Sequence, residues 1–430
     1  MQHRVTADKF RSGSERLASL PEAAPRRYRL AAIFHRPRHY FCDFVRRLAA
    51  HPAVDLAVFF YSDMGVGSNP DLAYGQPLPR NRDELLAGYR HCFLRNLSPW
   101  PELGRFTGMF HPSILWKLDA KYDAVLVHGW WGISSWLAYF TTFARHIPLM
   151  VHSDRNVVDR HRWRLQEMAL RTLFKKVAAF LIVGKCNADY YRRLGVSEGK
   201  MFFTPFAVDN AFYREEAQRL APKRRELRRR FGILPEEAAI LYVGRLSQEK
   251  GLLDLLAAFN RLGDVPAHVV LVGDGPQRPL LEEKVRSEGS RRVHFVGSVN
   301  YTEISSYYIL ADVFVLPSHH EPWGAVVNEA MNFSLPVVAS ENVAAAADLV
   351  KHGRNGFILP AGDVAGLARH LEQLVSHAEM RREMGRESLK LIAEWNLDQS
   401  VEGVVAALRA VISPRSQDAK HNLSLRCTIG

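Results

Sequence analysis

Two spacings of apolar residues alternate along the chain. Short runs such as YRLAAIFH (residues 28–35) and VDLAVFFYS (54–62) are almost continuously apolar, whereas YFCDFVRRLAAH between them repeats its apolar positions every three to four residues. This order predicts strand, helix, strand in a parallel sheet, because parallel neighbours need a long crossover that a helix supplies. YDAVLVHG (122–129), IPLMVHSD (147–154) and AAFLIVGK (178–185) continue the series. Residues 63–110 interrupt it with Pro, Gly and Asn and only short apolar pieces, which predicts an irregular insertion able to line a substrate cleft.

A second series follows the charged stretch YREEAQRLAPKRRELRRR (213–230), whose central proline suits an interdomain connection ending in a helix. AAILYVGRL (238–246), AHVVLVGDG (267–275), RVHFVGSV (292–299), ADVFVLPS (311–318) and LPVVAS (335–340) read as strands buried on both faces, with helical patterns between and after them. The expected fold is therefore α/β, with a first domain at 27–220 and a ligand-binding second domain at 221–412. A disordered basic tail (1–26) and a polar tail (413–430) flank them. Two doubly wound domains in series imply a cleft, and ligands of such sheets bind at the carboxyl ends of the strands.

A chain of 430 residues with 47% apolar composition is too long for one ordinary core, which agrees with two domains. Cys42, Cys92, Cys186 and Cys427 are far apart and form no C-x-x-C pair, arguing against a disulfide framework or a zinc site and for a reducing, cytoplasmic setting. The first thirty residues lack the apolar core of a secretory signal. The uncharged segment 124–144 contains His128, two glycines and four Ser or Thr residues, so it reads as a strand, a turn and a half-buried helix rather than a membrane span.

Charge is uneven. Residues 1–235 hold 38 basic and 21 acidic side chains and the remainder 19 and 24, so the first half is strongly cationic and the second mildly anionic. That asymmetry predicts an anionic partner for the first domain: a phospholipid surface at the inner face of the membrane, or a lipid-linked phosphate. Solvated basic helix faces would give the same composition. Nucleic acid is not expected, because no basic run is interleaved with aromatics on strands and no zinc-finger spacing occurs.

Candidate chemistry gathers at three strand ends of the second series. LYVGRLSQEKGLL carries Arg245 and Lys250 into a loop and helix start, where two cations and free backbone N–H groups can bind phosphates without a metal; solvated charges are the plain alternative. VGDGP places Gly273 and Gly275 after the next strand, for close approach of a ligand or merely for a tight turn. PSHHEPWGAVVNEAM puts Glu321 in a loop and Glu329 on the following helix, with Pro322, Gly324 and Ala325 shaping its start. Carboxylates accept hydrogen bonds from vicinal hydroxyls, so together these elements describe a nucleotide-sugar pocket. The alternative for the two acids is one loop glutamate and one surface-helix glutamate. No G-x-G-x-x-G follows the first strand, which argues against a nicotinamide site.

VGRLSQEKG, LVGDGP, PSHHEPWGAVVNEAM, LPVVAS and NGFILPAGD, in this order and with PFAVDNAFY (205–213) before the hinge, resemble the retaining glycosyltransferases of family 4, over residues 28–412. The resemblance implies the GT-B fold of two facing Rossmann-like domains and transfer from a nucleoside-diphosphate sugar to a glycan or lipid-linked acceptor, as in cell-surface polysaccharide or glycoconjugate synthesis, with no metal cofactor. It assigns Arg245 and Lys250 to the diphosphate, Glu321 to the transferred sugar and Glu329 to the ribose. Gly273, Gly275, Gly324 and Ala325 become nucleotide-binding backbone positions, and His128 a catalytic group beside the donor sugar, with His152 and Asp154 as secondary candidates. The chain departs from the family in three places: FHRPRHYF replaces the usual glycine pair after the first strand, Ser334 replaces a glycine before LPVV, and ENVAAAADLV replaces a glycine-rich loop. The basic first loop suits an anionic acceptor. A sugar phosphorylase or nucleotide-sugar epimerase on the same architecture, or a noncatalytic nucleotide-sugar-binding module, are the alternatives; conversion of donor without acceptor product, or binding without any transfer, would mark them.

Overall fold

The computed structural model describes residues 27–64, 66, 85–102, 105–157 and 164–412. Both expected tails, and much of the expected insertion at 63–110, lie outside the described residues. The first sheet is built from β1 (Tyr28–Phe34), β2 (Val54–Phe60), β3 (Arg90–Phe93), β4 (Ala124–His128), β5 (Leu149–His152), β6 (Ala179–Ile182) and β7 (Met201–Phe203). Its order is β3-β2-β1-β4-β5-β6-β7, with every neighbour parallel. The second contains β8 (Ala238–Val243), β9 (Ala267–Val272), β10 (Val293–Gly297), β11 (Val313–Leu316), β12 (Val337–Ser340) and β13 (Gly356–Leu359), in the order β10-β9-β8-β11-β12-β13, again all parallel. In both sheets the order reverses beside the first strand, between β1 and β4 and between β8 and β11, which is where doubly wound folds hold ligands.

The central strands match the apolar runs read from the sequence. Three strands lack such a run: β3 (RHCF), β7 (MFF) and β13 (GFIL) all lie at sheet edges, where one neighbour suffices and a long buried stretch is not required. Segment 124–144 resolves, as expected, into β4, a glycine turn and the helix Ile133–Ala144. No helix among the described residues is long and apolar enough to cross a membrane.

The last helix, Leu397–Val411, returns to the first domain, although its place in the chain grouped it with the second. Val401, Val404, Val405 and Leu408 form one apolar stripe, and it packs in the layer that contains Leu30, Phe60 and Leu181. Ser400 donates to the Pro205 carbonyl at 2.7 Å, and Arg47 reaches Asp398 through two nitrogens at 2.7 and 3.0 Å. Phe206 ties the domains together. Its carbonyl accepts from Asn328 Nδ2 (3.0 Å) and Trp395 Nε1 (2.8 Å), and its ring stacks on Trp323 at 5.6 Å between centroids.

Candidate active site

In the second domain the loop after β8 and the loop after β11 meet. Lys250 ends a short 3-10 turn, Gln248–Lys250, and Gly251 in the left-handed region starts the helix Leu252–Asn260. A side chain at Gly251 would put its Cβ 2.3 Å from the Pro317 carbonyl oxygen, so glycine lets the two loops touch. Lys250 Nζ then lies 2.7 Å from Glu321 Oε2, both side chains being mostly covered (16% and 15% exposed). This joins two residues that stand 71 positions apart. Arg245 is exposed at the end of β8, and its carbonyl accepts from Tyr242 Oη at 2.9 Å.

The Glu321 loop is held from several sides. Glu321 N donates to Asn342 O (3.1 Å) and Ala344 N donates to Glu321 O (3.2 Å), clamping the loop to the segment after β12. Gly324, at φ +96°, caps the helix Ala325–Asn332; a Cβ there would crowd Val343, Glu321 and Leu316 at 3.1 to 3.2 Å. Ala325, buried, is its first residue. Gly273 and Gly275 let two loops meet closely: Cβ atoms there would lie 1.9 Å from Gly244 O and 2.5 Å from Leu246 O. The β8 and β9 loops therefore run against each other, joined by Leu246 N donating to Asp274 O at 2.9 Å.

Glu329 behaves differently from its partner. It is only 4% exposed, and its Oε2 accepts from Tyr308 Oη at 2.7 Å. Burial pushes its pKa up to about 7, against which the tyrosine hydroxyls of Tyr308 and Tyr213 pull only weakly. The two acids that the sequence offers as hydroxyl acceptors thus stand in different settings, one at a loop and one inside the helix layer.

In the first domain, β4 and β5 end side by side and bring His128 and His152 together, Nδ1 to Nδ1 at 2.9 Å, so that one ring donates to the other. The Phe41 ring lies 4.6 Å from the His128 ring, centroid to centroid. Burial, and then the neighbouring His152, hold His128 well below its usual pKa; burial lowers His152 to about 4. His35, after β1, is also lowered to about 4, by burial first and then by Arg38 and Arg36. His35, His128 and Asp154 line a cavity of about 200 Å³ that also includes Arg36, Arg38, Trp131 and Arg155.

One contact crosses between the domains at this point. Asn156 Nδ2 donates to the carbonyl of Pro322, the residue after Glu321, at 2.5 Å. Sequence reasoning missed Asn156, Phe206 and Trp323, since nothing in their spacing marks a side chain whose role is to meet another domain.

Residues 223–391 match the family described as glycosyl transferases group 1, and residues 37–207 match the glycosyl transferase 4-like domain. The chain is 28% identical over 295 residues to the alpha-D-kanosaminyltransferase of Streptomyces kanamyceticus, covering 65% of this chain and 75% of that one. It is 35% identical over 164 residues to a Mycobacterium tuberculosis glycogen synthase, a match covering 37% of this chain and 39% of that enzyme's length. Among solved structures, HepE of Anabaena in complex with UDP superposes with a TM-score of 0.69 at 16% identity, covering 89% of this chain and all of that one. The architecture is that of the GT-B class, two facing Rossmann-like domains. The chain belongs to the glycosyltransferases of group 1, family 4 type.

Proposed function

We propose that the protein transfers a hexose-type sugar from a nucleoside diphosphate to a hydroxyl of a glycan or lipid-linked acceptor, with retention at the anomeric carbon and without a metal ion. The observation that carries this reading is the 2.7 Å contact of Lys250 with Glu321 at the strand ends of the second sheet, beside exposed Arg245. A cation placed against a carboxylate can hold a diphosphate on one side while the acid accepts hydroxyls of the sugar on the other. Relatives of the same type act on sugars, and HepE was solved with UDP, which supports a nucleotide-linked donor.

In the reaction the bond from the anomeric carbon to the diphosphate oxygen breaks, and one from that carbon to the acceptor oxygen forms on the same face. The acceptor proton passes to a diphosphate oxygen. Lys250 and Arg245 stabilise the charge that develops on the leaving diphosphate; elsewhere the loss of one such preorganised donor costs on the order of 3 kcal/mol. Neutral His128 can exchange a single hydrogen bond with the donor sugar. Glu329 can serve the ribose by exchanging its Tyr308 hydroxyl for a ribose hydroxyl. Gly273, Gly275, Gly324 and Ala325 keep the backbone close enough to frame the nucleotide. In this reading the acceptor binds the first domain, residues 27–220, whose excess of basic residues suits contact with an anionic membrane face on the cytoplasmic side.

Thermal stabilisation by uridine, guanosine and adenosine diphosphate sugars identifies the donor, since a ligand that binds only the folded state raises the melting temperature. The stabilising donor should then release nucleoside diphosphate only when an acceptor is added and should give a product of retained configuration. Release without acceptor product would overturn the transferase reading. Sedimentation with vesicles of acidic lipid at low salt, and its loss at high salt, tests the membrane contact.

A further inference from the structure

We infer that the acceptor carries an anionic group, a phosphate or a carboxylate, and that Arg38 and Arg155 grip it in the first-domain cavity. The inference rests on the transferase reading and specifies the substrate class of its acceptor side.

Three guanidinium groups, Arg36, Arg38 and Arg155, line a space of about 200 Å³ in which Asp154 is the one carboxylate among the lining residues. The planar fork of an arginine matches the paired oxygens of a phosphate or carboxylate, and several arginines lining one space favour an anion over a neutral hydroxyl. Arg38 and Arg155 are exposed, while Arg36 is buried at 7% exposure in the same loop as Arg38. Room for several water molecules, roughly 30 Å³ each, accommodates a phosphate with part of a sugar ring.

The field of these arginines is already visible in the floor of the cavity. Arg38 acts on both His35 and His128, adding to the burial that keeps them neutral. A neutral imidazole can donate one N–H to an anion without adding a charge that would have to be desolvated. The cavity also adjoins the contact between the domains. Arg155 adjoins Asn156, whose amide bonds the Pro322 carbonyl beside Glu321, so an anion held by Arg155 sits one loop away from the donor-side acid. The diphosphate of the donor has its own cations, Lys250 and Arg245, in the other domain.

The test titrates the intact protein, with its donor site saturated by the nucleoside diphosphate that stabilises it best, with glucose 1-phosphate, glucuronate and glucose. At least one anion should bind tenfold or more tighter than glucose, and which one separates a phosphate-bearing from a carboxylate-bearing acceptor. In Arg38→Ala/Arg155→Ala that preference should vanish while nucleoside diphosphate affinity stays within twofold. Arg38→Lys/Arg155→Lys, which keeps the charge and removes the forks, should retain part of it. The inference fails if neither anion outbinds glucose, if the preference survives the double alanine variant, or if that variant loses nucleotide affinity, which would assign the arginines to the donor. Lys250→Ala separates the two readings. It should lose nucleotide affinity, and normal affinity there would remove the donor site without touching the arginine cavity.

Discussion

The strand ends of the two sheets share a topology and use opposite electrostatics. At β1, β4 and β5 the groups are imidazoles held neutral, with His35 and His152 at about 4. At β8 and β11 an ion pair, Lys250 with Glu321, stands at the loops, and behind it Glu329 is pushed up to about 7. Burial is the first cause in both places, and the difference lies in which protonation state carries charge. A buried imidazole sheds its proton to avoid charge, and a buried carboxyl keeps it. The two ends therefore respond to pH with opposite sign. Between pH 6.5 and 4 the folded state binds fewer protons at the histidines than the unfolded chain does, so their contribution is present above 6.5 and lost on acidification. Between pH 4.5 and 7 the folded state binds more protons at Glu329, so its contribution is present below 4.5 and lost as pH rises through 7.

The largest effect expected is on turnover. Lys250→Ala should lower it at least about a hundredfold, the equivalent of roughly 3 kcal/mol of transition-state stabilisation, measured as acceptor-dependent release of nucleoside diphosphate. Near-normal turnover would show that the ion-paired end is not where the diphosphate leaves.

Glu329→Gln sharpens the contrast on the stability side. Removing a carboxyl raised from 4.5 to about 7 should stabilise the protein at pH 8 by up to about 3 kcal/mol and leave it unchanged near pH 4, read as the melting temperature across pH. The same variant should weaken nucleotide affinity by roughly tenfold in calorimetry, as loss of a hydrogen bond to a charged group does; unchanged affinity would remove Glu329 from the ribose.

At the other end, His152→Gln should make the acid side of the stability profile shallower by up to about 3 kcal/mol between pH 6.5 and 4, the reverse sign of the glutamate variant. An unaltered profile would mean that the imidazole pair is solvated in solution. The smallest change is expected at the returning helix: Arg47 and Asp398 are 58% and 66% exposed, so Arg47→Ala should cost less than about 1 kcal/mol in a melt.

Particular residues show why some of this was readable in advance. Lys250, Glu321 and Gly324 were legible because each belongs to a local pattern: a strand end, a turn glycine, a helix start. Gly273 and Gly275 were legible as glycines, but their crowding against backbone needed the neighbouring β8 loop, 1.9 Å from where the Gly273 Cβ would stand. The burial of Glu329 was not legible, since an eight-residue spacing from Glu321 says nothing about the tyrosine that a different helix, Tyr301–Leu310, brings to it.

By itself the chain's sequence determined the central parallel strands, the two-domain division of its alternating pattern and the chemical types at the strand ends, because hydrophobic period and turn chemistry are local. The tertiary structure alone decided that Leu397–Val411 packs on the first sheet, that Asn156 reaches Pro322, and that His128 and His152 share one proton bond at 2.9 Å. Each of these depends on apolar burial and hydrogen bonding between segments tens to hundreds of residues apart, and no local spacing encodes such distances.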